Sequence, residues 1–471
     1  MDLILQLLGL AYFVFALWNL RLAVLLLPLF FPAYLLKFDV GGVPFPLVEV
    51  FIYVTTLACV IRTGVDFFKK KVSLKDLLAP YQSRIWIAVA GIVVAAVIST
   101  LITPQSVVLM DGNTVFYGRK VALGILKSWI IAPVLMLGLF AWLMKTGEDM
   151  KIALNSYTIS AVVLAAWGVF QVLTGQYATP DARASGPFNS ANYLALFIAP
   201  ALFYALVRVK SFYEVKKIPW WKRAFMTVVP QPETERPRFF LALLWIFGFF
   251  LLLFGLLFTK SYAAFLALFV VCLLWFGMNV RTFEKFPWKS VLVIVGLLLV
   301  AAVVMIALDP AKWQLFFQFT TRTSSGVRVE IYTIATRLLL EHPLQGIGLG
   351  MFPAVYQLEG PRILGQNPYE WNMLHPHNVF LAFWLNLGIL GFASFLWILQ
   401  RCIQKAWGFL KNVSGLAAMS LEWFHALGLA MLVIILIHGL VDTPFFKNDL
   451  ALLFWLVVGV VVLPMVGREK K

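Results

Sequence analysis

From Phe239 to Phe258 the chain runs twenty residues without a charged side chain, and a helix wound from them has no polar face. A helix on the surface of a soluble core keeps one wet face, so a run of this length and uniformity belongs to a bilayer span, which takes about 20 apolar residues. The composition agrees. Hydrophobic residues make up 62% of the 471 and charged residues only 13%, which excludes an ordinary soluble domain. A transmembrane β-barrel would alternate polar and apolar positions, and a disordered chain would not carry 42 Phe and 17 Trp. The expectation is an all-α, polytopic helical membrane protein.

Apolar windows place twelve spans near 21–37, 43–61, 85–103, 124–144, 152–174, 191–207, 239–258, 261–279, 290–308, 378–399, 422–440 and 448–466. Residues 3–20 form a further apolar piece that reads as a thirteenth span, a re-entrant segment or an interfacial helix. It has neither a basic leader nor a small-residue cleavage site, so it is not read as a removable signal peptide. Cys59, Cys272 and Cys402 lie in or beside spans without CxxC spacing and read as small core residues.

The formal charge of +16 is compatible with nucleic acid, anionic lipid or membrane topology, and its distribution selects topology. Most of the 38 Lys and Arg fall in alternate loops: Arg62 to Arg84, Lys145 and Lys151, Arg208 to Arg238, Arg281 to Lys289, Arg401 to Lys411, and the tail Arg468 to Lys471. These loops and the C-terminus are expected in the cytoplasm, and no nucleic-acid partner is expected. The 208–238 segment, with Trp220 and Trp221 among its cations, reads as a belt lying on anionic membrane lipid or as a solvated loop. Arg183, Lys260, Arg322, Arg328, Arg337 and Arg362 lie on the opposite, outer side against this bias.

The longest outer segment, Asp309 to Pro376, separates an N-terminal membrane region (1–308) from a C-terminal one (377–471), so 309–376 is read as a large periplasmic or extracellular loop. Within it Ile331, Ile334, Ala335 and Leu338 follow the spacing of an amphipathic helix, with Ser325 as its cap and Pro343 as its stop. That register puts Arg328 in the first turn, where the free N–H groups and the helix dipole already favour an anion. Gly346-Ile347-Gly348-Leu349-Gly350 lacks a preceding strand and a following Lys-Ser/Thr, so it reads as a turn rather than a phosphate loop.

His375-Pro376-His377-Asn378, leading into the span from Val379 to Gly391, resembles the O-antigen ligase and polymerase superfamily. The ligase pattern sets a His, then Asn, Ser or Gln, nine residues, a Gly, two residues and Gly, Thr or Tyr. His377, Asn378, Gly388 and Gly391 fill those positions without a gap. Arg183 to Asn189 with Asn192, and Arg328 through Pro343 to Gly348, look alike as well. Where a Trp commonly follows the loop Arg, this chain offers Tyr332.

The resemblance implies a GT-C-like glycosyltransferase of the bacterial inner membrane, with its site on the periplasmic or extracellular side. Its donor would be an undecaprenyl-diphosphate-linked glycan. Its acceptor would be lipid A core in a ligase, growing polysaccharide in a polymerase, or protein in an O-oligosaccharyltransferase, with ligase favoured here. Arg328 and Arg183 would bind the diphosphate, since a guanidinium fork keeps its charge and holds two oxygens. His377 would be the general base for the acceptor hydroxyl, supported by Asn378, His375 and Asp442.

No cofactor is expected. His375, His377 and Glu370 can be drawn as a zinc site, but no fourth ligand stands at a recognised spacing. His438 and Asp442, at i and i+4, are expected to share a helix face at the outer end of a span. A lipid-linked glycan transporter is the competing class. It would carry its ionisable groups near the bilayer midplane, whereas the charges here sit at span ends and in loops.

Overall fold

The computed structural model describes residues 2–179, 182–214, 236–280, 296, 324–412 and 421–463. The span expected at 290–308, Arg322, most of the 208–238 belt with Trp220 and Trp221, and the basic tail lie outside the described residues.

The chain is a polytopic helical membrane protein. It opens with α1 (Asp2–Trp18), then α2 (Leu20–Leu26), which tightens into a 3-10 turn at Leu27–Leu35. Pro28 and Pro32 lack the N–H groups that an α-helix would use there. Next come α3 (Leu47–Phe68), the short α4 (Leu74–Leu78), α5 (Ile85–Ile102) and α6 (Gly118–Ile125). A π-helical turn, Leu126–Ile131, joins α6 to α7 (Ala132–Leu143). Then follow α8 (Gly147–Thr174), α9 (Ala191–Glu214), α10 (Arg236–Thr259) and α11 (Tyr262–Val280).

After the undescribed stretch come α12 (Ser324–Glu341), α13 (Phe352–Leu364), α14 (Val379–Asn412), α15 (Leu421–His438) and α16 (Asn448–Val462). Among the described residues, seven helical segments are long and apolar enough to cross a membrane. Five shorter apolar ones accompany them, the 2–18 piece included.

Two small hairpins add to the helices. Lys37–Val40 pairs antiparallel with Val43–Pro46 around Gly41-Gly42, and Val107–Val108 pairs with Val115–Phe116 around a turn in which Asp111 accepts from the Asn113 and Thr114 amides. The opposite end of the bundle is pinned by Arg21, whose guanidinium meets the buried Asp149 at 2.6 Å. Asp149 also closes a capping box with Thr146 at the start of α8.

The helix expected to start after Ser325 already includes Ser324, two residues earlier, so Arg328 is the fifth of its described residues rather than in a first turn capped by Ser325. Ile331, Ile334, Ala335 and Leu338 are all buried and pack with Phe352 and Tyr356 of α13 and Leu385 of α14. An amphipathic pair thus sits on the membrane bundle.

The glycine turn has a definite task. At Gly388 the α14 backbone leaves the helix (φ 64°, ψ −171°), a region essentially restricted to glycine. The groups released by the break are taken up by the turn: Ile389 N donates to Leu344 O at 2.9 Å, and Ile347 N donates to Leu385 O at 2.8 Å. The fit leaves no room for side chains. A Cβ at Gly388 would stand 2.3 Å from Leu344 O, and one at Gly346 would stand 2.3 Å from Leu385 O. Asn386 fastens the same contact by accepting from Gly350 N at 2.8 Å. The break therefore fixes the direction of the α14 segment Val379–Leu387, at whose mouth His377 lies.

Candidate active site

Asn378 is the N-cap of α14: its Oδ1 accepts from the Phe380 and Leu381 amides at 2.9 and 3.1 Å. Its Nδ2 donates to Leu440 O at 3.0 Å, and Val379 N donates to Gly439 O at 2.7 Å, so the start of α14 is stitched to the turn after α15. Tyr332 of α12 closes the seam, its hydroxyl lying 3.0 Å from His377 O and 3.2 Å from Leu440 O. Clamped between these bonds, His377 holds a left-handed backbone (φ 47°), a conformation that costs a non-glycine residue and clusters at functional sites. Asn378 thus supports His377 through the backbone.

The clamp brings three of the expected residues together. His377 Nδ1 is 3.6 Å, and His375 Nε2 3.9 Å, from Asp442 Oδ1, and the two imidazole rings meet edge to face with centroids 4.4 Å apart. Asp442 is buried, its side chain 3% exposed, while His377 keeps 25% of its side chain open to the outside of the fold. Burial opposes ionisation of Asp442, but the hydrogen bond from His377 and the neighbouring charges of His377, His375 and His438 outweigh it and hold the carboxyl well below its usual range. Burial, reinforced by the His377 charge and opposed by Asp442, pushes His375 down to about 4. Asp442 does not share a helix with His438, because α15 ends at His438 and the chain then turns through Gly439–Val441. The two stay in electrostatic contact across that turn.

Arg183 and Arg328 approach from separate elements, and both guanidiniums, with Asp442, act electrostatically on the buried His438 imidazole. Arg328 and Asp442 also both act on Tyr332. Arg183 is aimed by its loop. Nε donates to Thr259 O at the end of α10 at 2.6 Å, and Nη2 donates to Asn192 Oδ1 at 2.9 Å. That loop is in turn held by the Gln171 side-chain amide, which bonds Gly186 O and the Ser185 and Gly186 amides. Both expected arginines therefore lie within electrostatic reach of His438.

Two further residues belong to this assembly and were not read from the sequence. Tyr193, in the first turn of α9, shares a hydrogen bond of 2.9 Å with His375 Nε2. Lys447 lies beneath it, caged by the rings of Phe188, Tyr193 and Tyr34 at 3.9, 4.5 and 4.9 Å and paired with Asp449 at 3.0 Å. The signal for Lys447 was its place between two aspartates, Asp442 and Asp449, in a short connection between apolar runs. Lys127, by contrast, is committed elsewhere. It bonds Glu49 and Pro44 O, both at 2.8 Å, and so holds the first hairpin against the bundle. Among the described residues, His375, His377 and Asp442 form the cluster whose ligand atoms stand close enough, within 4.8 Å of one another, to hold a metal ion.

Residues 247–396 match the family model Wzy_C, described as O-antigen ligase. The matched third of the chain contains Arg328, Tyr332, His375, His377, Asn378, Gly388 and Gly391, and bears out the resemblance drawn from those residues. The match supports a membrane glycosyltransferase of the O-antigen ligase and polymerase type. Arg183, His438 and Asp442 lie outside the matched segment. No curated protein matches the chain.

Proposed function

We propose that this chain is an O-antigen ligase, which transfers a glycan from undecaprenyl diphosphate to a hydroxyl of lipid A core on the outer side of the inner membrane. The observation that carries the reading is the pairing of His377 with the buried carboxylate of Asp442, which also acts on His438, the imidazole that two arginines from distant segments reach electrostatically. With Nδ1 turned to Asp442, the proton of neutral His377 resides on Nδ1 and the lone pair on Nε2, the tautomer a general base requires.

The acceptor hydroxyl attacks the anomeric carbon of the donor glycan. Its proton passes to His377 Nε2 as the new glycosidic C–O bond forms and the bond from the anomeric carbon to the phosphate oxygen breaks. The electron pair leaves on undecaprenyl diphosphate, whose growing charge Arg328 and Arg183 offset. No step calls on a metal ion.

The test is reconstitution of the purified protein with undecaprenyl-diphosphate glycan and, in turn, lipid A core, growing polysaccharide and acceptor protein. Transfer to lipid A core, lowered about 10²–10⁴-fold by His377→Ala at unchanged membrane abundance, is expected. Transfer to polysaccharide or protein instead would reassign the acceptor, and full activity of His377→Ala would remove the base.

A further inference from the structure

We infer that His375, His377 and Asp442 form an inhibitory site for Zn²⁺ or a similar d-block ion, an inference that rests on the functional reading above. The donor set is one that zinc takes readily: two imidazole nitrogens and a carboxylate oxygen, with a fourth, open position for water. The geometry is nearly closed. Bonds of about 2.0–2.1 Å to a tetrahedral ion set ligand atoms roughly 3.3 Å apart. The nitrogens facing Asp442 Oδ1 stand at 3.6 and 3.9 Å and all three ligand atoms lie within 4.8 Å of one another, so the site closes when rotations of the two imidazoles draw their nitrogens in toward the carboxylate.

His375 Nδ1 is buried with no hydrogen-bond partner within the protein, and His377 Nδ1 has only Asp442 Oδ1 before it, at 3.6 Å, whereas His375 Nε2 is engaged by the Tyr193 hydroxyl. An ion taking His375 Nε2 must displace that hydroxyl. Inhibition follows from the tautomer. The ion enters on the Asp442 side, where it needs the lone pair of His377 Nδ1. The ring proton then moves to Nε2, which becomes a donor and no longer accepts the hydroxyl proton. The same carboxylate that prepares the base thereby provides the means of switching it off.

The test uses tag-free protein purified in detergent, stripped with EDTA, dialysed and titrated with Zn²⁺ by calorimetry. Visible absorption after Co²⁺ substitution provides a readout on the unmutated chain, and transfer is measured in parallel. Expected are one ion per chain, the intense absorption of four-coordinate Co²⁺, and full transfer after EDTA. Transfer should then be lost over the same Zn²⁺ range that saturates the site. His375→Ala and Asp442→Ala, checked for folding by thermal unfolding, weaken zinc binding at least tenfold. Tyr193→Phe, which frees the His375 nitrogen, tightens it.

The inference is overturned by an absence of stoichiometric binding, by binding that both alanine variants retain, by loss of binding in Tyr193→Phe, or by saturation without loss of transfer. It is also overturned if the stripped protein is inactive and zinc revives it, since the ion would then be a cofactor. Failed zinc binding alongside an inactive His377→Ala variant sinks this inference alone. Full transfer by His377→Ala sinks the functional reading and the inhibition with it.

Discussion

Gly388→Ala probes the joint between the membrane bundle and the site. The backbone there occupies a region that costs other residues about 1–3 kcal/mol, and the new Cβ would meet Leu344 O at 2.3 Å. Relief requires the turn to withdraw, which opens the Ile389–Leu344 and Ile347–Leu385 hydrogen bonds at about 0.5–1.5 kcal/mol each. The total is about 2–6 kcal/mol. Gly365 is the control: it too has a positive φ, 71°, but nothing lies within 4 Å of a Cβ built there, so Gly365→Ala carries only the backbone penalty of about 1–2 kcal/mol. Thermal unfolding of both variants in one detergent, followed by intrinsic tryptophan fluorescence, gives their order. Gly388→Ala should melt clearly below Gly365→Ala and should also lose transfer, because α14 aims His377. Equal melting of the two variants would refute the interlock, and normal transfer by a destabilised Gly388→Ala would refute its link to the site.

If His377 is the base proposed above, Asp442→Asn, which removes the anion facing His377 Nδ1 at 3.6 Å, should lower kcat about 10–100-fold, with the donor KM little changed. A steady-state assay in detergent reads this directly, and wild-type turnover would remove Asp442 from the mechanism. Tyr332→Phe deletes one hydroxyl bridging His377 O and Leu440 O, a loss of about 0.5–1.5 kcal/mol. That corresponds to a fall in kcat of about two- to tenfold, and a Tyr332→Phe enzyme altered only in donor KM would contradict a positioning role. Arg183→Lys and Arg328→Lys keep the charge but lose the fork, so each should raise the donor KM by about tenfold in titrations with the lipid-linked glycan. An unchanged KM in both would place the diphosphate elsewhere.

Much of the bundle was legible in the primary structure because a bilayer imposes its thickness on every span. Runs such as Phe239–Phe258 had no other place to go, and the 3.6-residue rhythm of Ile331, Ile334, Ala335 and Leu338 marked the side of α12 that is buried. The hairpins were harder to see, since each depends on only a few residues around Gly41-Gly42 and Asp111 to Thr114. His377, Asn378, Gly388 and Gly391 could be singled out by their spacing alone, but not the reason for that spacing. It became visible only when the Gly346 turn was found filling the break at Gly388.

Local order along the chain thus determined the spans, the amphipathic helix and the identity of the candidate groups, because each depends on neighbours within a few turns. Tertiary packing decided which groups meet. Asp442 reaches His377 from another helix end, Arg183 and Arg328 converge on His438 from segments far apart in the chain, and Tyr193 and Lys447 enter from α9 and the start of α16. Contacts between residues so distant in sequence leave no periodicity behind. They exist because burying the polar ends of many helices in one place requires each charge to find a partner there.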